Sequence, residues 1–153
     1  MTVAASRVRL VVVGGLLVIA IGVGATSGEA ALPGTAAKVH AAIAQERSAQ
    51  RALGGGSYAR SLAHVNAAVY DLLAVKSALA AAARVATPIP QLDSIERLLD
   101  LAITDNDHAG SHLSEVLLLV GRGVPADSAS IDQARSSLRQ AASASTSLAR
   151  ILG

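Results

Sequence analysis

The residues best suited to bind a ligand lie in one short stretch, TDNDHAGSH at residues 104–112, followed by Glu115. Asp105 and His108 are three residues apart, and His108 and His112 are four apart. On a continuous helix the side chains of Asp105, His108, His112 and Glu115 would therefore form one stripe. Imidazole and carboxylate groups together suit Zn, Ni, Cu(II) or Fe, which need ligands that converge from one side. The spacing predicts a divalent transition-metal site on this stripe.

A solvated polar edge of a helix is the simpler interpretation of the same stripe, because the four residues flank the apolar face without occupying its centre. Two more specific sites fail on spacing. A ferritin-like di-iron bundle needs two carboxylate-x-x-His pairs, and only Asp105 with His108 matches. A calcium-binding EF-hand loop that began at Asp105 would need Glu at its twelfth position, where Val116 stands. His40 and His64 lie singly on polar faces and matter only as third ligands.

The rest of the chain carries no pattern typical of an enzyme. Gly55-Gly56-Ser57-Tyr58-Ala59 lacks the last Gly of a nucleophile elbow, and Gly54-Gly55-Gly56 lacks the Lys of a phosphate-binding loop. The absence of Cys, Phe and Trp removes thiolate metal sites, cysteine nucleophiles and phenylalanine or tryptophan stacking platforms. Since no nucleophile, base and orienting group can be placed together, we expect a protein that is not an enzyme and has no organic cofactor.

The charge distribution argues against a nucleic-acid partner. The formal net charge is +2, and the Lys and Arg residues are scattered singly along the chain. Two basic residues, Arg7 and Arg9, lie within residues 1–30, where the only acid is Glu29, so the remainder of the chain is nearly neutral. Without a basic cluster there is no electrostatic footprint for phosphates.

The N-terminal residues 1–30 have the three parts of an export signal. Arg7 and Arg9 precede an apolar stretch at residues 10–23, and small residues follow at 24–30. This pattern favours a cleaved signal peptide. A retained membrane anchor stays open as an alternative, because no A-x-A triplet marks a cleavage point and the apolar run could span a thin bilayer. A buried segment of a soluble protein is the third interpretation. Either of the first two places the body outside the cytoplasm, since the arginines stay inside.

Residues 31–153 are predicted to form one helical domain, because the stretch is rich in Ala, Leu, Ser and Arg and shows no strict alternation of apolar and polar residues. Glycines at 54–56, the sequence Pro88-Ile89-Pro90, and the segment from Gly121 to Pro125 interrupt the helical pattern. The predicted helices cover residues 35–53, 57–86, 91–120 and 126–152.

Each predicted helix has a seam of residues spaced by three and four, which we expect to face the core. In the first the seam is Val39, Ala42, Ile43, Glu46 and Leu53; in the second Tyr58, Leu62, Val65, Val69, Leu72, Lys76, Leu79, Ala83 and Ala86; in the third Ile95, Leu99, Ala102, Asn106, Ala109, Leu113, Val116 and Val120; in the fourth Ile131, Ala134, Leu138, Ala141, Ser145, Leu148 and Leu152. Ser57 and the pair Asp93 and Glu96 are the expected N-terminal caps.

Four helices with short connections imply antiparallel neighbours, so the expected fold is all-α, an up-down-up-down four-helix bundle behind a signal peptide or membrane anchor. Asn66, Tyr70, Lys76 and Ser145 lie on or near apolar faces and are expected to fix the register of the bundle. For Lys76 we expect the ammonium group to reach the solvent or to pair with an acid from another helix. The function expected from these features is that of a non-enzymatic cell-envelope interaction or scaffold module, which contacts a protein partner or itself through helix faces. The alternative is a domain that binds a metal ion or small ligand through His108 and His112.

The first prediction concerns processing. Expression of the full chain in a bacterium followed by fractionation and N-terminal sequencing should recover the protein outside the cytoplasm, either starting between residues 26 and 31 or intact in the membrane fraction. A soluble cytoplasmic product that begins at Met1 or Thr2 would contradict the export hypothesis.

Overall fold

The computed structural model describes residue 32, residues 34–85 and residues 88–153. Every regular element in this part of the chain is an α-helix, which confirms the all-α prediction for the residues described. The helices are α1 (Thr35–Gly54), α2 (Tyr58–Ala83), α3 (Leu92–Gly121) and α4 (Ser128–Leu152). The predicted signal peptide or anchor at residues 1–30 lies outside the described residues.

The helices end where the sequence supplies residues that break a helix. Gly56 follows α1 with φ 73°, a left-handed conformation that glycine adopts without steric cost, and Gly123 follows α3 with φ 75°. Pro88 and Pro90 separate α2 from α3. Ser57 is the N-cap residue of α2, as predicted, although its side chain makes no capping hydrogen bond. The predicted cap of α3 is wrong, because Gln91, not Asp93, is its N-cap.

Asp127 is the N-cap of α4, and its carboxylate accepts a hydrogen bond of 2.9 Å from the backbone N–H of Ser130. This bond, together with one from the Ser130 hydroxyl, holds the pKa of Asp127 below its ordinary value because both favour the ionised carboxylate. The cap therefore stabilises the start of α4 above the ordinary aspartate pKa, and its contribution is lost as the pH falls through the lowered pKa.

The four helices form a closed ring in which each packs against two neighbours. α1 packs against α2 and α4, and α3 packs against the same two helices, whereas the backbones of the diagonal pairs do not approach each other. Side-chain contacts run in opposite directions along neighbours: Lys38 faces Asp71 and the Ser61 hydroxyl reaches the carbonyl of Ala49. This arrangement is that of an antiparallel four-helix bundle.

The core-facing sides of α3 and α4 agree with the predicted seams, except that Val120 is largely exposed. For α2 the predicted seam is partly wrong. The buried residues of α2 are Ser61, Val65, Ala68, Leu72, Val75 and Leu79. The helix ends at Ala83 and not at the predicted residue 86, and Ala86 itself lies outside the described residues. Both patterns obey the three-and-four spacing and share Val65, Leu72 and Leu79, and the alanines on both flanks give no sign of which side faces inward.

Asn66 and Tyr70 do not fix the register as expected, because the true seam of α2 turns them outward, whereas Lys76 makes the predicted pairing with an acid of another helix. Asn66 is exposed, Tyr70 is 73% exposed, and Lys76 lies on the surface, where its Nζ is 2.7 Å from Asp100 Oδ1. Only Ser145 is buried.

α2 is also long and apolar enough to cross a membrane by length and composition, a criterion that core helices of soluble proteins meet as well.

Adjacent leucines in α2 provide a test of this register. Leu72 is fully buried, whereas Leu73 is 47% exposed. We expect Leu72→Ala to lower the free energy of unfolding by about 2 to 5 kcal/mol, the usual cost of a cavity at a packed leucine, and Leu73→Ala to lower it by less than about 1 kcal/mol. Denaturant unfolding of both variants measures the difference, and equal losses would contradict the register of α2.

Candidate functional site

The stripe predicted as a metal site lies on one uninterrupted helix, because α3 continues through Gly110. Its residues differ in exposure: His108 and Glu115 are exposed, whereas Asp105 and His112 are half-buried. His112 Nδ1 is 4.0 Å from Glu115 Oε2, and the same carboxylate oxygen accepts a hydrogen bond from the Ser130 hydroxyl at the start of α4. Glu115 is therefore shared between the stripe and the α3–α4 connection.

No group of three or more His, Cys, Asp or Glu side chains within the described parts of the chain is arranged to hold a metal ion. His64 Nδ1 is 2.7 Å from Gln45 Oε1, so this ring bridges α2 and α1, while His40 is exposed on α1. Partial burial raises the pKa of Asp105, and the nearby charge of His108 acts in the opposite direction. The metal site at Asp105, His108, His112 and Glu115 stays a prediction.

A second polar group lies at the centre of the bundle, where Glu46 of α1, Asn106 of α3 and Ser145 of α4 are all completely buried. We call these three residues the buried polar layer. The Asn106 side-chain amide donates to Glu46 Oε1 at 2.8 Å, and the Ser145 hydroxyl donates to the same oxygen at 2.8 Å. A single carboxylate oxygen thus joins three helices, including the diagonal pair α1 and α3.

The buried polar layer divides the apolar core into two clusters. One cluster contains Val39, Ala42, Ile43, Ala68, Leu72, Val75, Leu79, Ile95, Leu99, Ala102, Ala144, Leu148 and Ala149. The other contains Ala49, Leu53, Val65, Ala109, Leu113, Ala134 and Leu138. Glu46 and Asn106 stand at the boundary on α1 and α3, respectively, so each apolar cluster ends at the polar layer.

Two atoms of the layer have no hydrogen-bond partner, Glu46 Oε2 and Asn106 Oδ1. Burial raises the pKa of Glu46 above its ordinary value near 4.5, while the hydrogen bonds from Asn106 and Ser145 act in the opposite direction. Since desolvation is the largest of these effects, the environment favours the neutral carboxylic acid.

The sequence pattern placed Glu46, Asn106 and Ser145 on three seams but did not bring them together. The signal was present: each is a polar residue at a core position of a different helix. Recognising the layer required the relative heights of helices α1, α3 and α4, which the spacing within one helix does not give.

An open groove of about 640 Å³ runs along the surface between α2 and α3. Its lining includes Leu62, Asn66, Gly110 and Leu118. Asn106, which belongs to the buried polar layer, also borders the groove. A Cβ atom on Gly110 would come 3.6 Å from Val65 and 3.7 Å from Leu62, an ordinary contact, so α2 and α3 approach without needing glycine here.

Charge is distributed unevenly over the outer faces of the bundle. α3 contains six of the eleven acidic residues of the chain and one basic residue, Arg97. α1 contains three exposed basic residues, Lys38, Arg47 and Arg51, and its one acidic residue is the buried Glu46. α4 also carries three basic residues, Arg135, Arg139 and Arg150, and one acid, Asp132. The α1 face is therefore basic and the α3 face, at the opposite corner of the ring, is the acidic face of the bundle.

The exposed large apolar side chains that the structure describes share the α2–α3 half of the bundle. They lie on these two helices or on the connections that follow them: Tyr70, Leu73, Val85, Leu101, Leu118, Val120 and Val124. Leu101 lies in a shallow depression of about 480 Å³ together with the acidic residues Asp93, Glu96 and Asp100. The acidic side of the bundle therefore also presents apolar surface.

The metal hypothesis makes a prediction that calorimetric titration with Zn, Ni and Cu(II) can check. Binding through the stripe should be tighter than about 10 μM and should disappear in the double variant His108→Ala/His112→Ala. It should weaken at acidic pH, because a protonated imidazole cannot coordinate a metal. His64→Ala is the matched control, since that ring contacts Gln45. Equal binding by the double variant would exclude the stripe as the site.

The chain matches no protein-family profile, no curated protein and no solved structure in the comparisons made. Its function has therefore to be argued from three features of its own residues: the histidine stripe, the buried polar layer, and the opposed basic and acidic faces.

Proposed function

We propose that this chain is a non-enzymatic interaction or scaffold module of the cell envelope, and that it contacts a second copy of itself through the α1 and α3 faces. The export pattern of residues 1–30 supports the location. The segregation of charge between α1 and α3 supports the mode of contact and is the observation on which the proposal depends.

The geometry of the ring determines what kind of assembly these faces can form. The basic face of α1 and the acidic face of α3 point away from each other, because the two helices are diagonal neighbours. Contact between α1 of one copy and α3 of the next is heterologous, and such a contact repeated between opposed faces extends into an open array. Exposed Leu101, within the acidic depression, adds an apolar contact to the pairing of charges.

The energy of each contact is small, so several must act together. An exposed ion pair contributes about 0.2 to 1 kcal/mol and is screened by salt. Arg47 and Arg51 on α1 of one copy, placed against the excess of acids on α3 of the next, supply the multiple pairs that such an association needs. We therefore expect weak, reversible self-association that decreases as the salt concentration rises.

The buried polar layer supports a non-enzymatic role. Its carboxyl, amide and hydroxyl groups are the polar groups brought closest together in the core, but Glu46, Asn106 and Ser145 have no exposed surface. Asn106 also borders the α2–α3 groove, but none of the three side chains has accessible surface, so the layer is better suited to holding the helices together than to binding a substrate.

A mixing experiment on the full chain tests the proposed contact. One variant, Arg47→Gln/Arg51→Gln, weakens the α1 face, and another, Glu96→Gln/Asp107→Asn, weakens the α3 face; all four residues are exposed. By light scattering at low salt, each variant alone should remain largely monomeric. An equimolar mixture should form dimers and nothing larger, because each variant keeps one of the two complementary faces.

The control is Arg139→Gln, an exposed basic residue on α4 that should leave self-association unchanged. Self-association should also fall as NaCl is raised from about 50 to 500 mM, since the Debye length shortens over that range. A wild-type protein that is monomeric at low salt, or variants that assemble as the wild type does, would contradict assembly through these faces.

A further inference from the structure

We infer that Glu46 is a proton-binding site of the folded bundle, and that its protonated carboxyl forms a cyclic acid–amide pair with Asn106 that joins α1 to α3. The inference is independent of the proposed self-association. It assigns a role to a buried carboxyl group that the surface contacts do not use.

The side chains of Glu46 and Asn106 have one hydrogen-bond donor too few when Glu46 is ionised. The Asn106 amide nitrogen has two hydrogens, and it donates to Glu46 Oε1 at 2.8 Å and to the backbone carbonyl of Ala102 at 2.9 Å. The atoms left unpaired are Glu46 Oε2 and Asn106 Oδ1, both of which are acceptors when the carboxyl is ionised. A proton on Oε2 supplies the one donor that is missing, and the O–H group can then donate to Oδ1.

The opposite orientation of the amide does not solve this shortage. Exchanging Oδ1 and Nδ2 of Asn106 would direct an oxygen toward the Ala102 carbonyl and toward Glu46 Oε1, two acceptors that the nitrogen now serves. Two good hydrogen bonds would be replaced by two repulsive contacts. The observed orientation, with a protonated Glu46, satisfies every polar atom of the pair.

No cation compensates for an ionised Glu46 among the described side chains packed around it. The contact from α3 is the Asn106 amide, and the contact from α4 is the Ser145 hydroxyl. On α4, the stretch between Arg139 and Arg150 has no ionisable residue.

The nearest titratable groups on the other helices are engaged elsewhere or directed outward. On α2, His64 contacts Gln45, and Asp71 lies 3.9 Å from Lys38. Two acids flank Asn106 in the sequence: Asp105 is half-buried and Asp107 is exposed. Arg47, which follows Glu46, is also exposed. An ionised carboxylate at this position would therefore be a buried charge without a partner, which is costly in a protein interior.

The stability of the bundle should consequently depend on pH in a defined direction. The unfolded chain loses the Glu46 proton near the ordinary pKa of 4.5, whereas the folded chain retains it to higher pH. The stabilisation by the protonated pair is fully present below about 4.5 and is lost as the pH rises through the folded-state pKa. Ionisation then favours opening of the layer, because it places a buried charge at the hydrogen bond that joins α1 to α3.

Glu46→Gln in the full chain is the critical variant, because its amide copies the protonated acid: one atom accepts from Asn106 and Ser145, and the Nε2 group donates to Asn106 Oδ1. Unfolding by denaturant should be measured from pH 4 to pH 8. The ratio of folded to unfolded wild type, relative to the variant, should fall by up to tenfold per pH unit between 4.5 and the folded-state pKa. Asp127 has the opposite pH dependence but is present in both proteins, so its effect cancels.

Ser145→Ala provides a matched control, because it removes a hydrogen bond that favours the ionised carboxylate. It should move the transition of Glu46 to higher pH. Carboxyl NMR titration of the wild type gives a readout that needs no variant to fold: of the four glutamates in the chain, one should titrate above the others. Four ordinary titrations, or a Glu46→Gln protein that is less stable than the wild type by the same factor at every pH, would overturn the proposal.

Discussion

The fold is organised around one unusual interaction, the contact of a completely buried carboxyl group with an amide and a hydroxyl from two other helices. Glu46 stands where two apolar clusters meet, and Asn106 reaches it across the diagonal of the ring. The buried apolar residues of the described core are Ala, Val, Leu and Ile, and Tyr58 packs only at the edge of one cluster, so apolar contacts could be satisfied with a helix shifted by one turn. The hydrogen bonds to Glu46 could not form with a shifted helix, because the shift would leave a buried polar atom without its partner. The polar layer therefore determines the register that the small apolar residues leave open.

The number and type of the helices followed from the sequence, because glycine and proline mark the breaks and the three-and-four spacing is unbroken between them. The buried face of α2 could not be predicted from the sequence pattern. Alanines flank its leucines and valines on both sides, so two seams one residue apart have the same pattern, and Lys76 on the wrong seam was the only polar warning. The seam of α3 was recognised almost completely because its outer side is acidic and its inner side is not. A helix face is readable from sequence when the opposite face is charged, and α2 carries too few charges for that.

The candidate site was predictable in its parts and not as a whole. Clustering along the chain drew attention to His108 and His112, which share one helix and therefore one short stretch of sequence. Asn106 lies 60 residues after Glu46 in the sequence, and Ser145 lies 99 residues after it. Nothing along the chain links the three residues. What unites them is burial at one height of the bundle, a property that arises only when the helices pack. Single polar residues on different apolar seams are the pattern to compare across helices in chains of this composition.

Glu46 connects the packing of the core with the distribution of charge on the surface of the bundle. Glu46 is the one acidic residue of α1, and its burial leaves the outer face of that helix with basic residues alone. With Glu46 protonated, as proposed above, α1 also has no buried negative charge to offset its lysine and arginines. The burial of Glu46 thus contributes both to the polar layer in the core and to the contrast in charge between α1 and α3 at the surface. A proton on Glu46 strengthens that contrast, because it adds to the positive charge of the helix that faces away from the acidic α3.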